Sequence, residues 1–460
     1  MTHPSETTHS TARGLRILLV TWYFPPANTI AAVRLNKLAT YLDAQGHDVR
    51  VVTARDIPVS QGLTSDLDTA RVTYAPWTDV QSRAAGLWGR LKRLRPGQPT
   101  GTAVSDPAAA AATPSRETAT SGRKPLRRHL RELLFFPDYE LGWIPHGIRA
   151  GRRLSRAWQP DLVYASGPPF STLVIGWRLA RRLQVPLVSE FRDRWSDDPY
   201  YPPSELRQRL DRWLERRIVR DSRGLVTVSE PWARTYRQRF GKPVHVLYNG
   251  FDPDLVDPAR ASLSEGGPLR IVYTGGIYPG RRDPSMLFDA IARLGADPDA
   301  IRVDFYGTKE SHVRPLAETY GVTACVQVHP PVPQPDAVRR QLDADVLLLM
   351  QWQDPREQGN VPGKLFEYLG ARRPILLIGL DGGVPHEFIE ARGAGALARD
   401  PEHVAGLLRD WLAQKRETGR IPLLPETVSA GLSHADQLAH LPDFLERDLG
   451  LASTATKEEA

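Results

Sequence analysis

The stretch RILLVTWYFPPANTIAAVRLNKLATYLDAQGHDVRVVT, Arg16 to Thr53, decides the fold. Arg16 to Val20 is a short apolar run ahead of Pro25 and Pro26, and it predicts a buried strand. From Ala31 to Leu42 the apolar residues Val33, Leu35, Leu38, Ala39 and Leu42 repeat at helical spacing, and Gly46 supplies a left-handed stop. Val49 to Thr53 predicts the next strand. Strand, loop, helix and strand make a βαβ unit of a parallel sheet.

The same alternation extends outward. Strands are expected at Leu162 to Ala165, Pro186 to Glu190, Leu225 to Val228 and Val244 to Leu247. Helices are expected at Ser171 to Leu183, Glu205 to Asp221 and Pro231 to Phe240. A second series has strands at Leu269 to Thr274, Arg302 to Tyr306, Ala324 to Val328, Val346 to Met350 and Pro374 to Ile378. The pattern predicts two doubly wound α/β domains, residues 15–250 and 269–424, joined by a linker at 251–268. Helices at 425–449 are expected to pack back on the N-terminal domain, with disordered tails at 1–14 and 450–460. Residues 95–125, rich in Pro, Gly, Ala, Thr and Ser, predict a disordered insertion. Basic amphipathic stretches flank it, LWGRLKRLR (Leu87 to Arg95) and LRRHLRELLFF (Leu126 to Phe136).

The composition excludes several classes. With 460 residues, 41% hydrophobic and 25% charged, the chain reads as a globular protein of more than one domain. Its one cysteine, Cys325, excludes a disulfide framework and a cysteine metal site. The twelve histidines are scattered, with no HExxH, so no transition-metal site is expected. GxGxxG and a Walker lysine are both missing, which argues against an NAD enzyme or a P-loop protein. The polar start MTHPSETTHSTARG argues against a signal peptide, and no apolar run reaches the roughly 18 residues of a spanning helix. A cytoplasmic protein is expected, free or peripheral at the inner face of the cell membrane.

The net charge of +7 hides a split. Residues 1–250 hold 38 Lys and Arg against 22 Asp and Glu, and the rest hold 22 against 31. The basic half points to an anionic partner, such as a lipid diphosphate-linked saccharide or a membrane surface. Trp88, Leu91 and Leu94 beside Arg90, Lys92 and Arg93 suggest the membrane, although a solvated loop has the same composition. No aromatic platform or recognised module supports a nucleic-acid partner.

Several segments carry candidate chemistry. In NVPGKLFEYLGARRPIL, Asn360 to Leu376, Lys364 and Glu367 stand three apart on one helix face. An ammonium for phosphate and a carboxylate for sugar hydroxyls suit a nucleotide diphosphate, and helix N–H groups would add to the anion site. A surface ion pair is the plain alternative. In YTGGIYPGRRD, Gly275 and Gly276 end a strand and Arg281 and Arg282 follow, as phosphate ligands or as a solvated pair on a tight turn. In VSEFRDRWSDD, Asp193 stands where it would orient an acceptor or take its proton, while Arg192 or Arg194 would bind phosphate; a capped, ion-paired loop is the alternative. In TWYFPPANTIAAVR, Pro26, Asn28, Thr29 and Arg34 are placed to face an acceptor, unless the segment is only a proline-stiffened connection.

Together, RILLVTWYFPPANTIAAVRLNKLATYLDAQGHDVRVVT, LVTVSEPWARTYRQRFGKPVHVLYNGFD, YTGGIYPGRRD and GNVPGKLFEYLGARRPIL resemble the family 4 glycosyltransferases. The likeness is to the branch that builds bacterial cell-surface polysaccharides. It implies the GT-B fold, two Rossmann-like doubly wound domains facing across a cleft. It also implies a retaining transfer of a sugar from a nucleotide-diphosphate sugar to a saccharide or lipid-linked acceptor, with no cofactor and no obligatory metal. The donor would bind the C-terminal domain and the acceptor the N-terminal one. Glu367 matches the second glutamate of the family's pair, which holds the ribose hydroxyls. The first would fall at Gly359, so it is missing, and Glu357 lies two positions away. The family's arginine after the first strand of the C-terminal domain falls near Gly276, so Arg281 or Arg282 would serve the phosphates with Lys364. Asp193 stands in place of an N-domain histidine. A sugar-nucleotide epimerase of the same fold, or a non-catalytic partner of a polysaccharide assembly complex, are the alternatives.

Overall fold

A computed structural model describes residues 14–82, 131–200, 203–262 and 265–451. The chain divides into two compact units. The first takes residues up to Thr227, Ala233–Leu247 and the chain from His440; the second takes Val228–Trp232 and Tyr248–Ala439.

The first unit is built on strands β1 (Arg16–Thr21), β2 (Asp48–Ala54), β3 (Val72–Ala75), β4 (Leu162–Gly167), β5 (Leu187–Phe191), β6 (Gly224–Thr227) and β7 (Val244–Val246). They form one parallel sheet in the order β3-β2-β1-β4-β5-β6-β7. Helices α1 (Ile30–Ala44), α2 (Ile144–Leu154), α3 (Ser171–Leu183), α4 (Glu205–Asp221) and α5 (Glu230–Phe240) lie between the strands in sequence. Thr29 caps α1, its side chain accepting from the Ala32 N–H at 3.1 Å, and this fixes where the proline loop turns into helix.

The second unit holds β8 (Leu269–Thr274), β9 (Ile301–Tyr306), β10 (Val326–His329), β11 (Val346–Met350), β12 (Ile375–Ile378) and β13 (Gly395–Leu397) in the parallel order β10-β9-β8-β11-β12-β13. Its helices are α6 (Ser285–Leu294), α7 (Arg314–Thr319), α8 (Gln334–Leu342), α9 (Lys364–Gly370), α10 (Val384–Ala391), α11 (Pro401–Thr418) and α12 (His434–Leu438). Successive strand residues feed opposite cores. Ile271, Leu348 and Leu376 pack with α6 and α11, whereas Val272, Leu349 and Leu377 pack with α8 and α9. A strand apolar on both faces is what a covered parallel sheet requires.

Two sequence expectations change here. Residues 251–268, read as a linker, lie within the second unit as far as they are described; Phe251 bridges Ser433 and its ring packs beside Gly370. Of the segment 425–449, residues up to Ala439 count with the second unit and only those from His440 with the first. There His245 stacks on Phe444 at 5.1 Å, and Arg223 donates to the Leu449 carbonyl at 2.8 Å. The insertion 95–125 and the Leu87 to Arg95 stretch fall outside the described residues. Among the described residues no helix is long and apolar enough to cross a membrane.

Each sheet reverses its winding once, between β1 and β4 and between β8 and β11. Carboxyl ends of strands at such a switch point are where open α/β sheets bind ligands.

Candidate functional site

In the second unit, β8 runs out at Thr274 into Gly275, beside β11. Gly275 has φ of +120°, and a Cβ built there would lie 2.5 Å from Lys364 Nζ. Only glycine therefore lets this backbone and this ammonium meet. The Lys364 ammonium sits 4.0 Å from the centre of the Tyr273 ring, whose hydroxyl donates to the Gly276 carbonyl at 2.8 Å. Withdrawal from water and the nearby Arg282 push the lysine down to about 7, with Glu367 opposing. A lysine held this way gains most from an incoming anion.

Glu367 lies one turn along α9, and two amides fix both of its oxygens. Gln334 Nε2 donates to Oε1 at 2.9 Å and Gln341 Nε2 to Oε2 at 3.0 Å. Gln341 also donates to Thr274 Oγ1 at 3.0 Å, and the Thr274 N–H donates to the Tyr368 hydroxyl at 3.1 Å. Strand β8, helix α8 and helix α9 are thus tied around one carboxylate. A carboxylate has about four lone-pair positions, so the two glutamines leave acceptor capacity for a diol. The sequence reading missed both glutamines. Their seven-residue spacing, which puts them on one face of α8, was the available signal.

The two arginines after Gly275 diverge. Arg282 lies over the Tyr278 ring at 4.9 Å and contributes to the lowered proton affinity of Lys364. Arg281 lies over Trp352 at 4.6 Å, a ring it shares with Arg356. Arg282 is therefore the arginine that the fold groups with Lys364. The expected contribution of helix N–H groups is reduced, because those of Leu365 and Phe366 already donate to Pro362 at 3.0 Å and Gly363 at 3.3 Å.

Gly359, where a carboxylate was expected, leaves no room for one. A Cβ there would lie 2.1 Å from the ring of Trp232. Glu357 is instead 2% exposed; its Oε2 accepts from Asn360 Nδ2 at 2.6 Å, and its Oε1 has no hydrogen-bond partner among the described residues.

In the first unit the expected acceptor residues separate into two kinds. Arg34 is 6% exposed, and its guanidinium is used by Glu190 Oε1 at 2.7 and 3.0 Å and by the Leu247 carbonyl at 2.8 Å. These bonds give Arg34 a structural role inside the unit, whereas its expected contact with an acceptor is a proposal. Arg192 donates to Ser166 Oγ at 3.0 Å and to the Pro168 carbonyl, so it too belongs to this framework. Burial alone would raise Glu190, but Arg34, Arg192 and Ser166 outweigh it and hold the carboxyl below its usual range. Asp193, Pro26 and Asn28 remain at the surface or half-buried at the ends of β5 and β1. The Pro26 carbonyl accepts from the N–H groups of Gly62 and Leu63, and the Asn28 N–H donates to Ser60, which anchors the proline loop.

Residues 105–255 match the Glycosyltransferase Family 4 model. No curated protein matches the chain by sequence. Among solved structures, sucrose-phosphate synthase from Thermosynechococcus elongatus is similar at 13% identity and TM-score 0.59, over 95% of this chain and 99% of that one. Anabaena HepE in complex with UDP and glucose is similar at 13% identity and TM-score 0.55, over 94% and 99%. A putative UDP-N-acetylglucosamine 2-epimerase from Listeria monocytogenes reaches TM-score 0.51 at 10% identity, over 95% and 97%. At these identities the likeness is one of fold. The two doubly wound sheets give the chain the GT-B fold of these structures, and its sequence match to the Glycosyltransferase Family 4 model covers residues 105–255.

Proposed function

We propose that the protein moves a sugar from a nucleoside-diphosphate sugar to a saccharide or lipid-linked saccharide acceptor, with retention at the anomeric carbon, in cell-surface polysaccharide synthesis. The observation that carries this reading is the pairing of Lys364, held against Gly275, with Glu367, held by two glutamines, at the switch point of the second sheet. Glu367 accepts the ribose hydroxyls. Lys364 and Arg282 receive the diphosphate in place of a metal ion. UDP is the first nucleotide to try, because HepE, of similar fold, is solved with UDP.

As the anomeric C–O bond breaks, negative charge collects on the departing phosphate oxygen. The acceptor hydroxyl forms the new bond on the same face and its proton passes to that oxygen. Fixed donors aimed at such charge are worth roughly 3–4 kcal/mol each. Asp193, exposed after β5, is the carboxylate proposed to orient the acceptor. Turnover is tested by following sugar transfer and donor hydrolysis with wild type and Lys364→Ala. Loss of both in the variant supports the reading, and unchanged rates contradict it. Release of a free epimerised sugar by the wild type would favour epimerase chemistry instead.

A further inference from the structure

Helix α4 turns Asp211 and Glu215 inward with Arg207, and most of its other arginines outward; Glu205 at its first turn is exposed. On the inner face Asp211 accepts from Arg207 at 2.9 Å and Trp195 at 3.1 Å, and Glu215 accepts from Ser196 at 2.6 Å and Arg239 at 3.0 Å. On the outer face, at steps of three and four residues, stand Leu206, Arg209, Trp213, Arg216 and Arg220, with Arg212 beside them. Leu206 is 53% exposed and Trp213 58%. Among the described residues Arg212, Arg216 and Arg217 make no hydrogen bond or ion pair, and Arg209 reaches Glu205 only at 3.6 Å. Arg207 also binds the carbonyls of Glu132, Phe135 and Pro137, tying to the start of α4 a segment that carries Leu134, 49% exposed.

We propose that this face of α4 docks the protein on an anionic lipid bilayer. A tryptophan and a leucine seven residues apart on one helix face, ringed by arginines, match the headgroup boundary, where apolar tips sink and cations meet lipid phosphates. No acidic side chain interrupts the outer face between Leu206 and Arg220, so the complementary surface is negative. The chain's own segment 83–130 does not supply it, since it carries ten Lys and Arg against two Asp and Glu. The proposal does not depend on the glycosyl-transfer reading, because vesicle binding is measured without donor or acceptor.

The test is co-sedimentation of the full chain with phosphatidylcholine vesicles and with vesicles of equal parts phosphatidylcholine and phosphatidylglycerol. Wild type is expected on the anionic vesicles only. Arg212→Ala with Arg216→Ala should lower partition about thirty-fold, and Trp213→Ser roughly tenfold. These side chains are exposed, so the variants should keep the wild-type thermal melt. Several results would overturn the proposal: equal binding to both vesicles, binding unchanged by the α4 variants, or binding lost only on deletion of residues 84–130. Self-association abolished by Trp213→Ser, without vesicle binding, would assign the face to a second copy of the chain and would also overturn it.

Discussion

Gly275 and Lys364 show how one backbone angle and one side chain depend on each other. At φ +120° an alanine is strained by about 1–3 kcal/mol, and its methyl would strike the Lys364 ammonium. Gly275→Ala should therefore weaken nucleoside-diphosphate binding by roughly tenfold or more while the fold persists, as read by calorimetric titration and circular dichroism. Lys364 adds a pH dependence. Its proton affinity is lowered to about 7, so the free protein loses the ammonium as pH rises through that value. Diphosphate affinity should be highest below pH 7 and should fall toward pH 9, with proton uptake on binding near neutrality. A flat profile, or proton release, would count against the assignment. Lys364 and Glu367 could be read from sequence because spacing alone puts them on one helix face. The burial of Arg34 could not, because its partner Glu190 lies 156 residues away in the chain. A cation beside a proline loop reads as a ligand until that partner is placed.

At the scale of elements, the central strands were legible because each is a short apolar run bounded by turn residues. Of the edge strands, β7 and β10 were legible in the same way and β3 and β13 were not. Val72–Ala75 and Gly395–Leu397 are short, and only their last residues are buried. The link between α1 and β5 is a buried ion pair, and removing Arg34 leaves the buried Glu190 carboxylate with only Arg192 and Ser166 to offset its burial. Arg34→Met should cost about 3–5 kcal/mol in urea unfolding. If Arg34 instead only bound acceptor, the variant would keep its stability and lose turnover. Helix α4 offers a second check through Glu215, which burial raises from 4.5 to about 7 against the pull of Arg239 and Ser196. A carboxyl raised on folding contributes stability that is complete below its unfolded value and is lost as pH rises through the folded one. Between pH 5 and pH 8 wild type should lose stability relative to Glu215→Gln, by an amount on the order of a few kcal/mol. Parallel pH profiles for the two proteins would contradict this.

For the whole molecule, the sequence pattern and the structure agree on two doubly wound sheets, and they differ on where one unit hands over to the other. The hand-over was hard to read because Pro, Asp and Gly around Phe251 look like a linker, while the contacts that draw this segment into the second unit come from Gly370 and Ser433, more than a hundred residues on. The basic half of the chain and the acidic half differ in charge, and the proposed nucleotide site, at Lys364, Arg282 and Glu367, lies in the second unit. The most direct measurement is titration of UDP, GDP and dTDP into wild type and Lys364→Ala, followed by calorimetry and by thermal shift. The account predicts that at least one diphosphate binds wild type and raises its melting temperature, and that the variant binds it at least about tenfold more weakly. Binding of equal strength in the two proteins, or no binding of any nucleoside diphosphate to wild type, would contradict it.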